Sequence, residues 1–187
     1  GVFIIMFGVI SSGMVAVMSQ NIGAGRPGIA YQARQLGLLF NASTGILMSV
    51  ILAFCSGRIL KVVSIAPALL EPAETYLKIV GGACFLNALI PIFSSYLRVF
   101  GYTKHSLIGT IVGNAVNIIF NSVFLFVFKW GVMGVAVATV ISKVVNLIIV
   151  AAMGAVLIKA KQSPERIQPR KILAQIVKIG FPSALET

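Results

Sequence analysis

Residues 107–128 read LIGTIVGNAVNIIFNSVFLFVF, and the fold follows from how such a stretch can exist in water or in lipid. It carries no charge over 22 positions, and about 20 apolar residues are enough to take a helix across a bilayer's hydrocarbon core. Within it, Thr110, Asn114, Asn117 and Asn121 recur at steps of four, three and four. That spacing is one face of a helix and not the two-residue alternation of a strand. One side of an otherwise greasy helix is therefore wet or hydrogen-bonded.

Working outward, four more runs have spanning length: Gly1 to Ser19, Leu36 to Ile59, Tyr76 to Phe100 and Val132 to Ile158. A further one begins near Ile176 and reaches the last residue, Thr187. Apolar residues make up 58% of the chain and charged residues 10%, a balance that no water-soluble domain of this size could solvate. The fold class is an all-α integral membrane protein, a polytopic bundle with five full spans and the start of a sixth. Helices are required because backbone groups in lipid must find their partners within the same segment. Residues 1–158 form the five-helix part, 159–175 a basic linker, and 176–187 the opening of the next helix. Because the sequence starts and stops inside apolar runs, it reads as a fragment.

Lys and Arg set the orientation, since short cationic loops stay on the cytoplasmic side. Arg26, Arg34, Arg98, Lys104, Lys159, Lys161, Arg166, Arg170, Lys171 and Lys178 fall on one side, and Arg58, Lys61, Lys78 and Lys129 on the other. Ten against four places the Gly1 end outside and the Lys159–Lys178 linker in the cytoplasm of a cell (inner) membrane protein. If the complete protein starts in the cytoplasm, an odd number of helices precedes Gly1, most simply one. The net charge of +11 is spread over loops that face anionic lipid, so the bilayer, and not nucleic acid, is the expected partner.

Several motifs carry no function here. Gly23, Gly25 and Gly28 spell G-x-G-x-x-G, but they follow a membrane helix and not a strand, and no acid follows at nucleotide-binding distance. Asn41-Ala42-Ser43 is a glycosylation sequon inside a span. Cys55 and Cys84 match no metal or redox spacing. His105 reads as a solvated turn residue, and with no Asp and no paired nucleophile the chain offers nothing for an active site, so it is read as no enzyme. Pro67 to Thr75 reads as a short interfacial helix on the outer face.

Polar stripes recur on the neighbouring spans. Thr139, Lys143 and Asn146 lie at steps of four and three in 132–158, while Asn87, Pro91, Ser94 and Arg98 line one face of 76–100. Amides between membrane helices commonly serve as glue worth about 0.6 to 2 kcal/mol. Three stripes together point instead to a shared polar cavity lined by Asn87, Asn114, Asn117, Asn121, Thr139, Lys143 and Asn146. Lys143 weighs most, because an ammonium at mid-span costs roughly 2.5 to 3.5 kcal/mol on insertion scales and should not face lipid. The acids Glu71, Glu74, Glu165 and Glu186 all lie outside the five spans or at the broken end, so a partner carboxylate must come from missing helices, or Lys143 is neutral, or it snorkels along a cavity, which is the preferred reading. Close packing falls to Gly109, Gly113, Gly134, Ala136 and Ala138.

Gln20-Asn21-Ile22-Gly23-Ala24-Gly25, Arg98-Val99-Phe100-Gly101-Tyr102-Thr103-Lys104, Asn117-Ile118-Ile119-Phe120-Asn121 and Gly131-Val132-Met133-Gly134-Val135-Ala136-Val137-Ala138-Thr139 resemble, in order and separation, the multidrug and toxic compound extrusion (MATE) family. The resemblance covers essentially the whole chain. It implies a fragment of a twelve-helix, two-lobe transporter, these segments being the second to sixth helices and Gly180-Phe181-Pro182-Ser183 opening the seventh. The partners it implies are a small-molecule substrate and the missing first helix and carboxy-terminal lobe of the same protein. It implies an antiporter that exports cationic or amphipathic drugs or metabolites in exchange for H+ or Na+, with no cofactor beyond the coupling ion. Asn117 and Thr139 match cavity-facing positions of the family. Asn121 stands where some members carry a coupling Asp, which an amide cannot replace as a proton carrier, and the lobe's main coupling acid is on the absent first helix. Two alternatives stay open: a flippase for lipid-linked saccharides in the same superfamily, which Lys143 would suit, and a non-transporting membrane scaffold.

Overall fold

The computed structural model describes residues 2–62, 66–158 and 168–185. They form seven helices: α1 (Val2–Gly23), α2 (Pro27–Val62), α3 (Pro67–Gly82), α4 (Cys84–Val99), α5 (Thr103–Ser122), α6 (Gly131–Leu157) and α7 (Pro169–Leu185). A π-helical turn, Val123–Val127, prolongs α5. By length and composition α2, α6 and α5 with its π turn can each cross a membrane, and α3 with α4 makes a fourth, bent span. The 22 residues of α1 carry no charge and are long enough by the same measure. Gly1, Lys159, Lys161, Glu165, Arg166, Glu186 and Thr187, named above, lie outside the described residues.

Two turns at one end of the bundle show why the helices stop where they do. After α1, Gly25 adopts φ 72°, its N–H donates to the Ile22 carbonyl, and the Arg26 N–H donates to Asn21. After α4, Gly101 adopts φ 86°, with Gly101 N–H to Arg98 and Tyr102 N–H to Leu97. Both are the αL-glycine closure that satisfies the last carbonyls of a helix, and Pro27 then starts α2 with its φ already set. Gly25 of the G-x-G-x-x-G run thus serves a helix stop, while Gly28 already lies in α2.

Where the helices differ from the apolar runs, the cause is that hydropathy reports immersion and not helicity. α2 begins at Pro27 instead of Leu36, and its 36 residues extend roughly 54 Å, well beyond the hydrocarbon core. Its polar first turns therefore continue the helix into the headgroup zone. α7 likewise starts at Pro169, inside what reads as linker. The stretch 67–75 is no separate interfacial helix but the beginning of α3, held in part by the Lys78 to Glu74 ion pair of 2.8 Å. The span expected from Tyr76 to Phe100 is broken at Ala83 with a 40° bend. Gly81 and Gly82 weaken the helix there, and the Ser49 hydroxyl of α2 accepts the Phe85 N–H at 2.9 Å, supplying the restarted helix with a cap.

Small residues let α2 approach that break. A Cβ on Gly45 would lie 2.9 Å from the Phe85 Cα, and one on Gly81 would lie 2.8 Å from the Leu52 Cβ. Between the two helices, fully buried Asn41 donates its amide to the Ala88 carbonyl at 3.3 Å. Here an amide is glue. Asn41→Ala is expected to lower the stability of the complete protein by about 1–2 kcal/mol, read as a drop in thermal midpoint in detergent.

The core sits at the end where the α1–α2 and α4–α5 turns meet α7. Met14, Val17 and Met18 of α1 pack with Ile29, Ala30 and Ala33 of α2, Ile92, Tyr96 and Leu97 of α4, Val150 of α6, and Ile172 and Ile176 of α7. The opposite side of α7 exposes Arg170, Lys171 and Lys178. Away from this core α4, α5 and α6 pack on one another, and that is where the polar side chains lie.

Candidate functional site

α5 and α6 run against each other along a seam of small residues. Gly109 and Gly113 are buried on α5; a Cβ on the first would meet the Val150 side chain at 2.6 Å, and on the second the Asn146 Cβ at 3.0 Å and the Ser142 carbonyl oxygen at 3.2 Å. Gly134 admits Phe124 in the same way at the far end, with buried Ala136 and Ala138 following on α6. This contact brings the polar stripes of α5 and α6 face to face. Pro91 and Asn87 of α4 close the third side.

The result is a cavity of about 400 Å³ lined by Asn87, Ile90, Pro91, Gly113, Asn114, Asn117, Thr139, Ser142, Lys143 and Asn146. Six of the seven side chains read from the sequence as lining a shared cavity meet here: Asn87, Asn114, Asn117, Thr139, Lys143 and Asn146. Asn121 does not line it. Its amide donates back to the Asn117 Oδ1 at 3.0 Å, so it acts on the site through Asn117.

Hydrogen bonding divides the lining into two kinds of groups. The Asn117 amide donates to the Ser142 hydroxyl at 3.4 Å, Ser142 donates to the Thr139 carbonyl at 2.8 Å, and the Thr139 hydroxyl donates to Val135 within its own helix at 2.8 Å. These groups are oriented by the protein. Asn87, Asn114 and the Lys143 ammonium, by contrast, make no hydrogen bond or ion pair with another described residue. Among the described residues no carboxylate lines the cavity. Asn146 adds a buried Oδ1 without a partner there.

Three features go beyond what spacing singles out. Ser142 lies three residues after Thr139 and four before Asn146, so its helical signal is present in the sequence, overshadowed by the lysine beside it. Arg34, expected in a cytoplasmic loop, is instead on α2, half-buried against the rings of Tyr96, Tyr31 and Phe93 at 4.5, 4.9 and 5.7 Å. His105 is not a solvated turn residue but sits in the first turn of α5 with its ring 5.5 Å from Tyr102 and its Nδ1 buried. Ser94 and Arg98 share their helix with Asn87 and Pro91, yet neither lines the cavity, and Arg98 donates to the Ser94 carbonyl and the Ser95 hydroxyl.

A family model described as MatE matches residues 1–123. The chain belongs to the MATE family. An uncharacterized transporter of Bacillus subtilis, YisQ, is 32% identical over 98% of this chain and 42% of its own length. Among solved structures, an inward-facing multidrug resistance MATE family transporter of the MOP superfamily superposes with a TM-score of 0.82 at 21% identity, over 98% of this chain and 42% of that one. An outward-facing one gives 0.83 at 21% identity, over 98% and 41%. The chain thus spans about two fifths of the length of the MATE proteins it matches. Its all-helical membrane bundle has the fold of one lobe of such transporters.

Proposed function

We propose that the complete protein carrying this MATE lobe exports amphipathic organic solutes from the cytoplasm by secondary active antiport, with H+ or Na+ moving inward. The observation that carries this reading is the meeting of six polar side chains from α4, α5 and α6 around one 400 Å³ cavity, a volume suited to a small organic molecule. Binding at mid-membrane between packed helices is what alternating access requires. The lobe fold matches an inward-facing and an outward-facing transporter equally well, at TM-scores of 0.82 and 0.83, which supports rocking of the lobe as a rigid body. Of the cationic and amphipathic solutes that the resemblance implies, amphipathic ones suit these walls, because Ile90 and Pro91 offer apolar surface opposite the amides. We place the protein in the inner membrane with the α1–α2 and α4–α5 turns on the cytoplasmic side, an orientation that the loop charges support.

The test is cysteine labelling of the complete protein in membranes, after the half-buried free thiols Cys55 and Cys84 are replaced by serine. Asn114→Cys, Asn117→Cys and Thr139→Cys should each react with a water-soluble maleimide. Phe126→Cys, on the lipid-facing surface and 78% exposed there, should not. If all three cavity positions stay inert while loop cysteines react, the amides are glue and the protein is a scaffold.

A further inference from the structure

Lys143 has a geometry that the transport reading alone does not use. It projects into the cavity from the middle of α6, and the lining facing it consists of amides, hydroxyls and apolar groups. The four acids of the chain are Glu71, Glu74, Glu165 and Glu186. Of the two that are described, Glu74 engages Lys78, and both sit on α3 near its outer end. Among the described residues no carboxylate lines the cavity, and the group that bears on the ammonium electrostatically is the Cys84 thiol at the start of α4.

Resting on the reading of the cavity as the solute site, we infer that it receives the anionic group of its substrate, a carboxylate or phosphate, on the Lys143 ammonium. The flanking donors are the amide N–H groups of Asn87 and Asn114, which have no other partner among the described residues. Asn117 is partly committed: its amide donates to Ser142 and its carbonyl oxygen accepts from Asn121. That pairing fixes the plane of Asn117 and leaves one N–H for the solute. An anion satisfies the donors of this set, the ammonium and the amide N–H groups, while the amide oxygens, the buried Asn146 Oδ1 among them, remain acceptors for water or a solute hydroxyl. A cation would meet a like charge there, with amide and hydroxyl oxygens alone to offset it. Ile90 and Pro91 would then contact the apolar part of the same solute. The anion belongs either to a water-soluble organic acid or to a lipid headgroup, and the chemistry at Lys143 is the same for both.

The experiment is equilibrium binding to the complete protein, purified in detergent, with three probes: fluorescein as a soluble organic anion, farnesyl diphosphate as a lipid phosphate, and ethidium as a cation. At least one anion should bind. Lys143→Gln should weaken that anion by about tenfold to a hundredfold, the range for loss of a charged hydrogen-bond partner. Lys143→Arg, which keeps the charge and shows that the site tolerates substitution, should retain most of the binding. Fluorescein binding alone assigns the site to soluble anions, and farnesyl diphosphate alone to a lipid headgroup. Ethidium binding with neither anion overturns the inference and leaves the transport reading standing, as does anion binding that Lys143→Gln leaves unchanged. If no probe binds, the inference falls; if the cavity cysteines are also inert to maleimide, the transport reading falls with it.

Discussion

Gly113→Leu is expected to abolish solute movement by the complete protein and to lower its thermal midpoint at the same time. Gly113 is buried where α5 crosses α6, and it also lines the cavity. A single Cβ there would already stand 3.0 Å from the Asn146 Cβ and 3.2 Å from the Ser142 backbone oxygen. The second neighbour is main chain in the middle of a helix and cannot rotate aside. A leucine must therefore either separate the helices or turn its side chain into the cavity beside Lys143. The first outcome carries the overpacking cost of about 1–3 kcal/mol, a large part of the about 5–15 kcal/mol that a typical domain has to spare. The second removes most of the room for a solute. Efflux of a fluorescent substrate from cells and a melting curve in detergent read the two effects separately. Gly23→Ala is the control, because a Cβ at Gly23 has no atom within 4 Å, and a surface change of that kind should stay within about 0.5 kcal/mol. Unchanged efflux and midpoint in Gly113→Leu would mean that α5 and α6 do not meet at this seam.

The same seam explains how much of the site is legible in the sequence. Side-chain position around a helix is fixed by spacing alone, so the inward faces that carry Asn114, Asn117, Thr139, Lys143 and Asn146 follow from residue numbers. The glycines that bring those faces together are as visible as the amides. Asn121 marks the limit of spacing: it shares the stripe of Asn117, but one turn further along α5 the helix approaches its π turn, and the amide bonds to Asn117 instead of reaching the cavity. Helix boundaries are legible only as far as lipid immersion and helicity coincide. They part at the polar start of α2, at Pro169 in α7, and at Ala83, where the bend depends on a cap from Ser49 more than thirty residues away in sequence. No local pattern announces a tertiary cap. Arg34 is a different kind of case, because its charge is plain in the sequence and the rings that surround it are not.

Arg34→Ala is expected to cost about 2–4 kcal/mol, taking roughly 0.5–1 kcal/mol for each of three half-buried cation–π contacts and roughly 0.5–1 kcal/mol for the packing of the side-chain stem. The guanidinium carbon lies 4.5 Å from the centre of the Tyr96 ring, 4.9 Å from Tyr31 and 5.7 Å from Phe93, which ties α2 to α4. Tyr96 is itself in the core, 1% exposed and edge-on to Phe100 at 5.0 Å. The Arg34 Nε is buried with no hydrogen-bond partner among the described residues, and the ring faces together with a side-chain hydrogen bond to the Tyr96 hydroxyl compensate the guanidinium. As a cation counted toward orientation, Arg34 would be replaceable by any other cation, because the positive-inside rule weighs Lys and Arg alike. As the filling of an aromatic pocket it would not be, since a compact ammonium cannot lie flat between three rings. Arg34→Lys separates the two roles. With the thermal midpoint of the complete protein as readout, the lysine variant should recover less than half of what alanine loses, and Arg34→Leu should also recover part of it by filling the volume. A lysine variant as stable as the original would reduce Arg34 to a topological charge and leave the α2–α4 contact resting on its apolar side chains and on the Asn41 and Ser49 hydrogen bonds.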